Sequence, residues 1–295
     1  MFYAGPSPLS SIVIFFFFPS NAPTQSFWDP DNAYMIANKG GGRSGLDSNT
    51  VLASIHTFDP TAGCDPVTFQ PCSDRALANL QKYVDSFRRV YPLNKGARVT
   101  DPVATGRYPE DVYFGGNVRN RIFFSRVRFT LIDFWILIIE SYLSWTERNS
   151  QPSQPWYLAT LAVAEQLYDA LLTWDTLRAI EVTPVSQAFF AQFVPGITLG
   201  TYRADLDLNS DSESISSTYS RLSAAIRGYA DGFLAIVARH TPPDGGLAEQ
   251  FDKASGAPAS AADLSWSYVA VLTAFRARKG GSGGAWGAKN LEVVC

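Results

Sequence analysis

The chain reads as an all-α protein. Three observations predict this. Apolar residues recur at three- and four-residue steps in most of the longer segments, helix-start and helix-stop residues bracket those segments, and no run of β-branched residues alternates over a useful length. A sheet is therefore not expected anywhere. In chain order, Thr50–His56 is a short first helix. Ser73 caps a second, on which Leu77, Leu80, Val84, Phe87 and Tyr91 share a face and Pro92 ends the run. Pro155–Trp174 carries Leu158, Leu161, Leu167, Leu171 and Leu172 among alanines, a pattern that predicts burial on most sides. Thr183-Pro184 supplies a cap and a first-turn proline for a short helix through Phe193. From Ser214 a long helix runs on Ile215, Tyr219, Leu222, Ile226, Phe233 and Val237 and stops before Pro242-Pro243. Asp263–Arg278 is the last, closed by Gly280-Gly281. The connections are rich in Gly, Pro, Asp and aromatics, as expected of long functional loops at one end of a helical assembly.

At 295 residues the chain makes one large domain or two small ones. Its 46% apolar and 17% charged residues suit a sizeable core and exclude a disordered or coiled-coil chain. A net charge of −3 excludes partners that reward clustered cations, so no nucleic acid and no anionic membrane surface is expected. Aromatics at 14% fit two readings: a core rich in rings, or flat faces for the C–H sides of sugars. His56 and His240 are the two histidines and neither stands in an acid cluster, so neither zinc chemistry nor a Ser-His-Asp triad is expected. Of three cysteines, Cys64 and Cys72 flank the turn-rich DPVTFQP at a spacing a disulfide closes easily, which would indicate an oxidising, secretory compartment; two buried free thiols are the other reading. Cys295 has no evident mate.

Two segments do not match the rest. Residues 1–25 hold an apolar run, Ile12–Phe18, with no Lys or Arg before it and too short to span a bilayer. Val118–Gln154 contains FTLIDFWILIIESYL, which approaches a membrane helix in hydropathy but carries Asp133 and Glu140. A true insertion and a membrane segment are both open for it. Intron sequence read through in frame accounts for both segments: valine codons begin GT, glutamine can be CAG, and the stretches close on Gln25 and Gln154. The expected organisation is thus a non-homologous leader over 1–25, a foreign insert over 118–154, and one domain made of 26–117 and 155–295.

Two loops carry the candidate chemistry. Gly106–Asn117 reads GRYPEDVYFGGN, with a cation, two acids and several turn formers. Glu249 lies in GGLAEQFDK, between two helices. Read alone, Arg107–Asp111 is an ordinary ion pair, Trp156 and Trp266 are core rings, and Glu249 is a solvated charge.

Joined across the insert, RYPEDVYFGGN and PWYLATLAVAEQLYDAL resemble the active-site loop and following helix of fungal glucoamylases, glycoside hydrolase family 15. SFWDPDNAYMIAN, SGLDSNTVLASIHTFDP, CSDRALANLQKYVDSFRRVYPLN, SSTYSRLSAAIRGYADGFLAIVARH and GLAEQFDKASGAPASAADLSWSY are similar to the same family in the same order. The resemblance implies a partial α/α toroid, about half of a six-hairpin, twelve-helix barrel. It also implies hydrolysis of starch and malto-oligosaccharides with release of glucose and inversion, a secreted monomer, and no cofactor. Glu249 then matches the general base. Arg107 would bond sugar hydroxyls, Asp111 would hold that cation, and Tyr113, Trp156 and Trp266 would wall the pocket. The family's general-acid glutamate, an Arg-Asp pair and a further tryptophan belong to its first half, which has no counterpart in these residues, and the expected partner of Cys295 would lie just before the SFW segment, where the sequence is unrelated. A truncated, inactive chain or a non-catalytic sugar binder is the alternative outcome.

Overall fold

The computed structural model describes residues 27–38, 40–113, 153–204 and 217–282. The leader, residues 118–152 of the expected insert, Ser214, Ile215 and Cys295 lie outside the described residues.

The described chain forms six α-helices joined by long loops. Helix α1 spans Ser48–His56, two residues longer than the periodicity indicates, because Asp47 caps it by accepting from the Asn49 amide. Helix α2 is Asp74–Phe87, and Ser73 Oγ accepts from the Ala76 amide at 3.3 Å as its cap. Tyr91 falls beyond the helix and folds back to stack on Phe87 at 5.4 Å. Helix α3, Tyr157–Leu177, ends on Arg178 in the left-handed conformation. The Thr183 hydroxyl does accept from the Val185 and Ser186 amides, but the Pro184 segment is a turn, and helix α4 occupies only Gln187–Ala191. Ser217 caps α5, Thr218–His240. Helix α6 is Ser265–Arg278, not Asp263–Arg278, because Asp263 has φ 52° and cannot sit inside a right-handed helix.

The expectation of no sheet needs correction. Among the described residues three small antiparallel pairs are present: β1 Trp28–Asp29 with β2 Tyr34–Met35, β3 Ala179–Val182 with β4 Gly200–Arg203, and β5 Gln250–Phe251 with β6 Pro258–Ala259. They satisfy backbone groups where loops run side by side, and at two to four residues they leave no alternating pattern to read.

Helix α3 is the centre, packed against α1, α5 and α6, while α2 packs against α1 and α4. Its surround buries Leu161, Leu167, Leu171, Tyr168 and Trp174, so the nearly all-round apolar pattern of this helix matches its place. Buried polar groups are tied down: Asn79 on α2 donates to Thr50 Oγ1 and accepts from the Met35 amide.

Two acids on α3, the buried Asp169 and the partly buried Glu165, form no ion pair among the described residues. Burial pushes the Asp169 carboxyl well above the usual range, with Glu165 one turn away adding to it. Glu165 is raised by burial too, partly offset by a hydrogen bond from Thr273 of α6. Unfolded, Asp169 ionises at its ordinary pKa while the folded chain still holds the proton, so stability falls as pH rises from that value toward the raised one. Asp169→Asn should flatten this decline when urea unfolding is followed from about pH 4 to about pH 8. A slope identical to the parent's would contradict the assignment.

Cys64 and Cys72 form a disulfide with Cα atoms 4.9 Å apart. It closes the loop between α1 and α2. Removing it with Cys72→Ser should cost about 2–3 kcal/mol in thermal unfolding, through the freed loop of the unfolded chain.

Candidate active site

The site is built on a turn. Tyr108 accepts from the Asp111 amide at 3.1 Å with Pro109 at the second position, where its fixed φ favours the bend. The turn places Arg107 and Asp111 side by side, and the guanidinium bonds both carboxylate oxygens, Nε to Oδ2 at 2.7 Å and an Nη to Oδ1 at 2.6 Å. Asp111 is 1% exposed and also accepts from the Tyr113 amide at 3.0 Å. Burial opposes the charge on Arg107, but the bonds and charge of Asp111 outweigh it and raise its pKa.

The turn is anchored from behind. Tyr83 Oη donates to the Gly106 carbonyl at 2.5 Å, and the Ser48 amide at the start of α1 donates to the Arg107 carbonyl at 2.7 Å. A Cβ at position 106 would lie 2.1 Å from Tyr91 Oη and 3.3 Å from the Gln154 carbonyl. Glycine is required there by close approach.

Trp156 precedes α3 in extended conformation, its amide bonded to the Thr105 carbonyl at 2.9 Å and its backbone bridged to Gln250. Its ring meets Tyr113 at 6.0 Å and Trp266 at 5.7 Å, and the Arg107 guanidinium lies 4.7 Å from the Tyr113 ring and 5.1 Å from the Trp156 ring. Tyr113 and Trp266 are 37% and 45% exposed, so two faces of this wall are open. Trp156 Nε1 is buried with no hydrogen-bond partner among the described residues, a donor that a ligand hydroxyl could use.

Glu249 stands next to Gln250 and is 7% exposed. Its amide donates to the Ala261 carbonyl at 2.8 Å, and the Ser260 hydroxyl donates to Oε2. Behind the hairpin, the His240 ring stacks on Phe251 at 4.8 Å. The structure thus joins Arg107, Asp111, Tyr113, Trp156 and Trp266 by side-chain contact. Glu249 is linked to them through the Gln250–Trp156 backbone bridge. Other acids on these loops are engaged: Asp252 accepts from the Ala254 and Ser255 amides, and Asp263 from Tyr268 Oη. Among the described residues no group of three His, Cys, Asp or Glu could hold a metal ion, and no helix is long and apolar enough to cross a membrane.

The sequence reading missed several supports. The Arg43 guanidinium lies 3.4 Å from the Tyr108 ring and pairs with Asp47 at 2.5 Å, so Tyr108 is covered by a cation from the preceding loop. Ser260 was invisible because nothing distinguishes it from other loop serines. Ser153 and Gln154, assigned to the insert, are buried in the site's floor: Ser153 donates its amide to the Asp111 carbonyl at 2.6 Å, and Gln154 Oε1 accepts from the Lys253 amide at 2.7 Å. These two residues pack as part of the domain.

Residues 16–276 match the profile of glycosyl hydrolases family 15, a span that includes part of the leader and the whole insert. Glucoamylase-1 of Schizophyllum commune is 51% identical over 269 residues, covering 91% of this chain and 38% of that protein. A glucoamylase of Neurospora crassa is 46% identical over 270 residues, covering 92% and 35%. Among solved structures, a family 15 glucoamylase from Hypocrea jecorina is similar with a TM-score of 0.70 and 43% identity over 90% of this chain and 37% of that one. The chain therefore spans a little over a third of the length of these relatives, and its helices are a portion of their α/α toroid. The helical fold, the ordered motifs and the matched span lead to one assignment: the chain belongs to glycosyl hydrolases family 15.

Proposed function

We propose that this chain carries the base side of a site that hydrolyses α-1,4-linked glucose from the non-reducing ends of starch and malto-oligosaccharides with inversion. The reading is supported by the contact of the Arg107–Asp111 pair with the Tyr113–Trp156–Trp266 wall, and by the backbone bridge that joins Trp156 to Gln250, the neighbour of Glu249. The rings take the C–H faces of the sugar, and Arg107, oriented by its two bonds to Asp111, donates to its hydroxyls. Glu249 accepts a proton from water as the water oxygen bonds the anomeric carbon. The glycosidic C–O bond breaks on the opposite face, and the departing oxygen takes a proton from a second carboxylic acid about 6.5–9.5 Å away. That acid belongs, on this reading, to the remainder of the catalytic domain. The enzyme is read as a secreted monomer without cofactor; the Cys64–Cys72 disulfide supports the oxidising compartment.

A second reading, sugar binding without hydrolysis, is favoured for the isolated chain by the engagement of Asp111, Asp252 and Asp263 in local bonds. Titration with maltose, followed by tryptophan fluorescence, tests the shared part of both. Saturable quenching that disappears in Trp266→Ala is expected. No spectral response at high maltose would remove the sugar site altogether, whereas glucose release by the isolated chain would remove the need for a second acid from elsewhere.

A further inference from the structure

The loop before α1 brings a second cation to the site's turn. In GGGRSG, Gly41 and Gly42 have φ of 62° and 78°, a region glycine enters without strain, and the Arg43 amide donates to the Gly40 carbonyl at 3.2 Å. This tight turn delivers the Arg43 guanidinium onto the face of Tyr108, with Cζ 3.4 Å from the ring centroid. Arg43 Nε is buried with no hydrogen-bond partner among the described residues, so the ring face is what it meets. Asp47 holds the far side of the guanidinium at 2.5 Å, and is itself held by the Asn49 amide and the Asn38 side chain.

Tyr108 thus stands between two pairs of the same kind. Arg43–Asp47 and Arg107–Asp111 are each four residues apart, and each closes on an almost fully buried carboxylate. The Arg107 guanidinium lies 5.5 Å from the same ring. Burial raises the Tyr108 pKa, Asp111 adds to the rise, and Arg107 and Arg43 oppose it, so its hydroxyl lies within the field of all three. Two further bonds tie the same loops: the Ser44 amide donates to Glu110 Oε1 at 3.1 Å and the Ser48 amide to the Arg107 carbonyl at 2.7 Å. We infer that Arg43 is a positioning residue for Arg107: by clamping the Tyr108 ring it fixes the turn on which Arg107 and Asp111 meet. Its bearing on sugar binding rests on the site proposed above, whereas the clamp rests on these contacts alone.

The test takes two readings on the full 295-residue chain. One is the rate at which phenylglyoxal modifies Arg107, mapped by mass spectrometry, which needs no sugar. The other is maltose affinity from tryptophan fluorescence. Arg43→Met should speed modification of Arg107 at least about threefold and weaken maltose binding about three- to tenfold. Arg43→Lys keeps the charge beside Asp47 but lacks the flat face, and should fall between the parent and Arg43→Met. Adding Arg43→Met to Tyr108→Leu should change neither reading further, since the ring that carries the link is gone. Arg98 and Arg278, which pair with Asp101 and Asp231, should keep their parent rates in every variant, as general loosening would not allow. A parent-like Arg107 rate in Arg43→Met, an equal effect of that change in the Tyr108→Leu background, or acceleration of Arg98 and Arg278 alongside Arg107 would each overturn the inference. If the parent chain gives no response to maltose, the sugar reading fails, while the Arg107 rates still decide the positioning role.

Discussion

Glu249→Gln, introduced into this chain assembled with the rest of a family 15 catalytic domain, is expected to lower the rate of glucose release from maltose about 10²–10⁴-fold, with little change in KM. Gln keeps the shape and can still accept from the Ser260 hydroxyl, but it cannot take a proton from water. Because proton removal belongs to the transition state and not to sugar binding, the loss should fall on kcat. The unmodified chain by itself should release no measurable glucose, since the acids on its described loops are committed to local partners. A parent-like rate for Glu249→Gln in the assembly would remove Glu249 from the base role.

The second large effect is on stability. Arg107→Ala is expected to destabilise the chain by about 3 kcal/mol, read from urea unfolding. The Asp111 carboxylate is buried, and without the two guanidinium bonds it retains only the Tyr113 amide among the bonds described above. The Arg107 side chain is 34% exposed, which limits the cost relative to a fully buried pair. Arg107→Lys keeps the charge but not the two-pronged geometry and should recover only part of the loss. Arg107→Ala combined with Asp111→Ala should be less harmful than Arg107→Ala alone, because the stranded charge is gone. A double variant worse than the single one would show that Asp111 matters chiefly through its other contacts.

The pair also shows what was readable beforehand. The residues one to five of Arg-Tyr-Pro-Glu-Asp place cation and acid four apart across a proline turn, and the structure closes them as an ion pair. The order of motifs likewise carried the family assignment, and periodicity located the helices, because a 3.6-residue repeat is imposed by packing one helical face on a core. Helix ends were less legible. The start of α6 depends on the left-handed φ of Asp263, and that of α4 on whether the Pro184 turn continues as helix. The strand pairs were unreadable, since two to four residues are too few for an alternation to stand out.

By itself the sequence determined the family and the mostly helical class, and it named the residues of the candidate site: an acid, an Arg-Asp pair and three rings. Only the tertiary structure decided that Trp156 bridges to Gln250 and so brings the Glu249 loop against the Arg107 turn. It alone placed Arg43 over Tyr108 and drew Ser153 and Gln154 into the floor. The physical reason is that composition and periodicity report which residues prefer burial or a given backbone. Which surfaces meet is settled by long-range packing, where residues about a hundred positions apart satisfy one another's backbone groups and fill one another's spaces.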